Sequence, residues 1–294
     1  MLSYQHVYHA GNHADILKHY VLSFVLNSLN KKEKPYTLID THSGSGLYDL
    51  LDSRSLKTGE AQKGIASLLD DYESKNIELP DSFCNFLSFV KTYTSENKYP
   101  GSPEIERKLL RKQDFLSLCE LHPQEFVNLS ENMNGETSLC KLSLHNQNGF
   151  DVLKSSTPPV TKRGAVIIDP SYEESSDYEN AAKTIIQVHK KWSNGIIMLW
   201  YPLLAHRKTE IDNMVNKIIN AAKNQNQNIE ISDLKLCVNT EDSHIEVDLD
   251  KLSDHKKNPP RLYGSGMLVL NSPWHLQEDA EKVLKYLTCV FFQK

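Results

Sequence analysis

Gly164-Ala-Val-Ile-Ile-Asp169 is an uninterrupted apolar run that ends in a carboxylate. A run without alternation buries both faces, so it reads as an interior parallel strand. Such a strand requires helices on both sides of its sheet. Six further short segments read as strands: Pro35–Asp40, Phe115–Glu120, Lys141–His145, Gly195–Trp200, Ile229–Val238 and Gly266–Asn271. Between them lie helical patterns. Asn12 is placed to cap a helix running to about Asn30, with Leu17, Tyr20, Val21, Phe24, Val25 and Leu29 at helical period. Asp177 is placed to cap another through Trp192. Strands alternating with helices predict a doubly wound, Rossmann-like α/β fold with seven strands.

Residues 48–101 differ in kind, being polar and helix-prone, with Pro80 and Pro100 as punctuation. They read as an inserted helical subdomain, leaving 1–47 and 102–294 as the main domain. Asp254 to Gly266, with Pro259-Pro260 and two glycines, reads as a loop. Hydrophobic content of 39% and charged content of 24% are those of an ordinary globular chain. No apolar run reaches the roughly 18 residues that a membrane helix needs, and the N-terminus lacks signal-peptide regions. Five scattered cysteines without a C-x-x-C pair point to a reducing cytosol and away from structural zinc. His9 and His13 have metal-ligand spacing but no evident third ligand, so no metal is expected. A net charge of −5 lacks the bulk basic footprint of a nucleic-acid binder. Local stripes remain, among them Lys31-Lys32-Glu33-Lys34, Arg107-Lys108 with Arg111-Lys112, His189-Lys190-Lys191, His206-Arg207-Lys208 and His255-Lys256-Lys257 with Arg261.

Ligands of open α/β sheets bind beyond the carboxyl ends of the strands. Four such ends carry chemistry here. Asp40 precedes Gly44-x-Gly46, a turn that lets backbone approach a ligand. A dinucleotide fingerprint would want a third glycine where Asp49 stands, and an acid about twenty residues on. S-adenosylmethionine, with its ammonium and ribose diol, suits a strand-end acid better. Glu120 could take the ribose hydroxyls. Asn148 could hydrogen-bond the adenine, with Gly149 allowing close approach. Asp169-Pro170-Ser171-Tyr172 would face the substrate: a carboxylate and a carbonyl accept from an exocyclic amine, and a ring stacks on its base. The same tetrapeptide is also an ordinary turn sequence.

Asp169-Pro170-Ser171-Tyr172 resembles the D/N-P-P-Y motif of amino methyltransferases, with Ser171 in place of the second proline. Over essentially its full length the chain resembles the RlmJ family of bacterial 23S rRNA adenine-N6 methyltransferases. The most specific stretches are Met1-Leu-Ser-Tyr4-Gln-His6 through Asp15-Ile-Leu-Lys18-His19, and Asp40-Thr-His42-Ser-Gly-Ser-Gly46. Tyr99-Pro-Gly-Ser102-Pro, Glu120-Leu-His-Pro, Trp200-Tyr-Pro and Gly264-Ser-Gly-Met also match. The resemblance implies a class I methyltransferase fold with a helical insertion after the first strand. It implies S-adenosyl-L-methionine as cofactor, contacted by Lys18, His19, Asp40, His42, Gly44, Ser102, Glu120, Asn148, Gly149 and Asp169. It implies Asp169, Pro170 and Tyr172 as the catalytic set, with Tyr4, His6 and Tyr172 near the substrate. The implied protein is a cytoplasmic, metal-free monomer whose partner is 23S rRNA, taken before the ribosome is complete. Asn148 stands where the family can carry an aspartate. Ser171 leaves the Pro170 carbonyl less restrained than a second proline would. A DNA adenine-N6 methyltransferase, and a non-catalytic RNA-binding protein that keeps a cofactor pocket, are the alternatives.

Overall fold

A computed structural model of the protein describes residues 5–134, 140–240 and 262–292. Along the chain run α1 (His13–Asn30), β1 (Thr37–Asp40), β2 (Leu47–Asp49), α2 (Ser53–Thr58), α3 (Ser67–Ser74), α4 (Asp81–Thr94), β3 (Lys98–Pro100), α5 (Ser102–Leu109) and β4 (Phe115–Cys119). They are followed by α6 (Pro123–Met133), β5 (Lys141–His145), α7 (Gly149–Ser156), β6 (Gly164–Ile168) and α8 (Ser175–Lys191). The last elements are β7 (Ile196–Leu203), α9 (Lys208–Gln225), β8 (Ile231–Cys237), β9 (Gly264–Leu270) and α10 (Leu276–Phe291).

Seven strands form one sheet in the order β5-β4-β1-β6-β7-β9-β8. Those from β5 to β7 are parallel, and β9 runs antiparallel to both β7 and β8. All seven strands expected from the sequence are in this sheet. Every residue of β6 is buried, as its unbroken apolar run requires. Alternate residues feed opposite layers. Leu38, Ala165 and Ile167 enter a core with α1, α4 and α10. Ile39, Val166 and Ile168 enter a second core with α8 and α9.

Chain order reverses between β1 and β6, because β1 leads outward to β4 on one side while β6 lies on the other. The register sets Asp40 level with Leu118 of β4 and Ile167 of β6, and Leu118 level with Leu144 of β5. Glu120 and Asp169 therefore leave the same sheet edge two residues further on. This edge is the topological switch point, where ligands of such folds bind.

At the two ends of the 48–101 segment, β2 and β3 pair from Leu47 to Pro100 as an antiparallel ribbon that the sequence does not suggest. It brackets α2 to α4, and Phe83, Phe86, Leu87 and Val90 of α4 join the core of α1. Two local expectations are corrected. Helix α8 begins at Ser175 with Glu174 as its N-cap, while Asp177 sits in the first turn and accepts from the Glu174 N–H at 3.2 Å. Gly264 to Gly266 belong to β9 rather than to a loop, and residues 254–261 lie outside those described.

Candidate active site

A cleft of about 330 Å3 opens at the carboxyl ends of the parallel strands. Its first wall is the turn after β1. Gly44 and Gly46 have φ of 57° and 80°, the left-handed region that favours glycine. The turn aims the Gly44 N–H at Glu120 Oε2, 2.8 Å away, and the His122 N–H meets Oε1 at 2.7 Å. Burial pushes the Glu120 carboxyl up, and these two amides oppose the rise. A carboxylate held this way keeps lone pairs for a diol at the cleft. Glu120→Ala is expected to weaken binding of the demethylated cofactor by about 1.5–3 kcal/mol, the range for hydrogen bonds to a charged group. Titration calorimetry reads this, and unchanged affinity would make Glu120 a surface acid.

Asp40 does not line the cleft, contrary to expectation. It is 1% exposed and lies behind the wall. Its Oδ1 accepts from the His42 N–H at 3.0 Å, and Oδ2 accepts from Ser102 Oγ at 2.7 Å. It holds His42 and Ser102, which do line the cleft, in place. Burial raises its carboxyl to about 7 from 3.8, against those two donors. The folded state thus favours its protonated form. This contribution to stability is complete below pH 3.8 and is lost as pH rises through about 7. Asp40→Asn, which stays neutral, should flatten the melting temperature of the cofactor-free protein over that window. A pH dependence equal to that of the unsubstituted protein would assign the titration elsewhere.

His19 and His42 are both held neutral, burial lowering them to about 3 and about 4. His19 Nδ1 meets the Tyr99 hydroxyl at 3.0 Å, and His42 Nδ1 meets Thr41 Oγ1 at 2.8 Å. Neutral imidazoles can hydrogen-bond a ligand carboxylate without adding charge beside a sulfonium.

Asn148 is the N-cap of α7. Its Oδ1 accepts from the Phe150 N–H at 2.9 Å, which leaves the amide nitrogen, a donor, for a ligand. Gly149 packs against the turn that follows β1: a Cβ there would stand 1.9 Å from the Thr41 carbonyl oxygen. Leu121 and Phe150 line the same part of the cleft.

Asp169 follows β6 at the opposite wall, its side chain 17% exposed. The Lys18 ammonium sits 2.5 Å from its Oδ2 and 2.9 Å from Asp15 Oδ1. Burial alone would lower Lys18, but the two carboxylates overcome it and hold the ammonium above its ordinary value. Lys18 therefore stays charged. Pro170, Ser171 and His6 line the cleft beside it, and Glu173, Glu174, Asp177 and Asn180 form the rim.

Tyr172 departs from the expected role. Its ring is 7% exposed and does not line the cleft. It packs 4.6 Å from the Tyr178 ring and donates to the Trp200 carbonyl at 2.9 Å. The positive φ of 53° turns its side chain into the second core, away from the cleft. Tyr4 lies outside the described residues.

Asp15 was not expected at the site, although its i,i+3 spacing from Lys18 puts both on one face of α1. Of the basic stripes, Lys190 and Lys191 end α8, roughly 20 Å along the helix from the cleft. Arg107 is buried against Glu104. The stripe 206–208 follows β7 at the cleft side of the sheet, and 255–261 lie outside the described residues.

Residues 33–294 match the family described as Ribosomal RNA large subunit methyltransferase D, RlmJ. Ribosomal RNA large subunit methyltransferase J of Escherichia coli K12 is 34% identical over 98% of this chain and 93% of its own length. The protein of the same name from Haemophilus influenzae is 35% identical over the same shares. A crystal structure of a Legionella pneumophila protein superposes with a TM-score of 0.79, at 30% identity, covering 96% of this chain and 94% of that one. With two relatives this similar over nearly all of its length and a family match spanning most of it, the chain belongs to the RlmJ family of ribosomal RNA large subunit methyltransferases.

Proposed function

We propose that this protein methylates N6 of an adenine in 23S rRNA, using S-adenosyl-L-methionine, and acts on rRNA that is free or incompletely assembled. The observation that carries the reading is the pairing of Asp169 with Lys18 in the same cleft as Glu120, Asn148 and Gly149. The donor set fits the cofactor: a fixed carboxylate for a ribose diol, an amide for a base edge, and neutral histidines. The cofactor supplies an electrophilic methyl on a sulfonium.

The rest is done by the chain. The adenine amine is a weak nucleophile because its lone pair is delocalised into the ring. Asp169 accepts a hydrogen bond from it, and the carbonyl of Pro170 accepts a second, which favours pyramidal nitrogen. Asp169 also holds the proton that the nitrogen sheds once it becomes cationic. Lys18, on Oδ2, orients the Asp169 carboxylate toward the amine. Positioning and electrostatics supply most of the acceleration. His6 borders the side from which a base enters. With Tyr172 buried, Phe150 and His42, whose ring centroids are 5.2 Å apart, are among the rings that line the cleft.

The protein works as a cytoplasmic monomer without metal, with 48–101 as an insertion on the methyltransferase domain. Its cysteines form no disulfide, among the described residues no cluster suits a metal, and among them no helix is long and apolar enough to cross a membrane. The deciding experiment is methyl transfer from labelled cofactor to protein-free 23S rRNA, with the product nucleoside identified. N6-methyladenosine is expected. Labelling of a matched DNA oligonucleotide in preference to RNA would overturn the substrate class, and cofactor binding without transfer would make the protein a binding module.

A further inference from the structure

Asp15 does not itself line the cleft, yet it is 1% exposed and lies against three residues that do, His6, Lys18 and His19. Its Oδ2 accepts from the Gly11 N–H at 2.9 Å and meets His6 Nε2 at 2.9 Å. Its Oδ1 lies 2.9 Å from the Lys18 ammonium and 4.0 Å from His19 Nε2. One carboxylate thus ties the turn that carries His6, the start of α1, and the cation that holds Asp169.

We propose that Asp15 is a positioning residue for methyl transfer, acting as the second counter-ion that keeps Lys18 from giving its whole charge to Asp169. The proposal rests on the reading of Asp169 as acceptor of the adenine amine. A buried ammonium facing one carboxylate binds it as tightly as geometry allows, because no water competes. Asp169 would then be a poor acceptor, since Oδ2, one of its two oxygens, already carries Lys18 at 2.5 Å. Asp15, at 2.9 Å on the other side, shares the cation. The ammonium can lean toward Asp15 when an amine arrives, and no charge is left unpaired. His19 is neutral and cannot supply this pull. His6 and Gly11 fix the carboxylate from its far side, so Oδ1 remains aimed at Lys18.

The test is Asp15→Asn. The amide oxygen can keep the Gly11 and His6 contacts, and the amide nitrogen then faces Lys18 with no charge to offer. In the full-length protein, kcat on protein-free 23S rRNA should fall by about 10- to 100-fold, the usual range when a supporting outer partner is lost. KM for rRNA and affinity for the demethylated cofactor should stay within about twofold, because neither ligand touches Asp15. The second arm is a cycle with Lys18→Met. If Asp15 acts through Lys18, Asp15→Asn adds no further loss on the Lys18→Met background. In the double variant neither charge of the Asp15–Lys18 pair remains, so it is the reference should Asp15→Asn alone fail to fold. Unchanged kcat, losses that multiply in the double variant, or a fall in cofactor affinity matching the fall in kcat would each overturn the proposal. An unsubstituted protein that fails to methylate rRNA would instead overturn the functional reading beneath it.

Discussion

Asp169→Ala is expected to lower kcat for methyl transfer to 23S rRNA by about 100- to 1,000-fold, the cost of removing one preorganised electrostatic partner of a transition state. The carboxylate stands at the end of β6 with Oδ2 on Lys18. Its other oxygen has no partner among the side chains that hold Lys18, so an amine can reach it. Truncation removes the acceptor and leaves the amine lone pair in the ring. The fold should survive, because Lys18 keeps its pairing with Asp15. Affinity for the demethylated cofactor should change little, since Glu120, Asn148 and Gly149 hold the far end of the cleft. A loss confined to kcat is the signature of a group that acts in the transition state. Single-turnover transfer with saturating cofactor reads it directly. Near-normal turnover in the variant would sink the assignment of Asp169, and a matching loss of cofactor affinity would make it a binding group instead.

Strand ends are legible in the sequence because their physics is local. An apolar run that stops at a polar residue marks the end of a buried strand, so the residue pattern alone sets Asp40, Glu120 and Asp169 on one sheet edge. The order of that edge, β5-β4-β1-β6, is set by pairing between strands distant in the chain and is read only from the fold. What the sequence hides is direction. Asp40 and Asp169 end their strands in similar ways, yet Asp40 turns behind the wall to hold Ser102 while Asp169 turns toward the cleft. The Tyr172 ring, expected beside the substrate, is placed elsewhere for the same reason: its positive φ sends it to Tyr178 and Trp200, and no residue pattern announces that angle. The pair Lys18 and Asp169 spans 151 residues of chain, so only the fold can join them. Asn148 shows the limit of reading residue types. As a cap it spends its oxygen on Phe150 and offers a donor, where an aspartate would still offer a lone pair.

Gly149→Ala should abolish measurable cofactor binding and lower the stability of the protein by about 1–3 kcal/mol, the usual cost of overpacking a filled interior. The reason is steric and specific. A Cβ at this position would lie 1.9 Å from the carbonyl oxygen of Thr41, 2.6 Å from its carbon and 2.7 Å from its Cα. All three are backbone atoms, so no rotamer change can relieve the clash. Thr41 cannot retreat, because its N–H and its hydroxyl both donate to the Ile167 carbonyl, at 3.1 Å each. The start of α7 must move away instead, carrying Asn148 and Phe150 with it. On the other side Thr41 leads into His42 and Gly44, so any yielding there disturbs the amide that fixes Glu120. One added methyl group would thus disturb both the wall that carries Glu120 and the wall that carries Asn148. Thermal melting with and without the demethylated cofactor distinguishes the two effects: the variant melts lower, and added ligand no longer raises its midpoint. A ligand-induced rise equal to that of the unsubstituted protein would mean that α7 can shift without cost, and that the close approach of Gly149 to Thr41 is a packing detail unrelated to the cofactor.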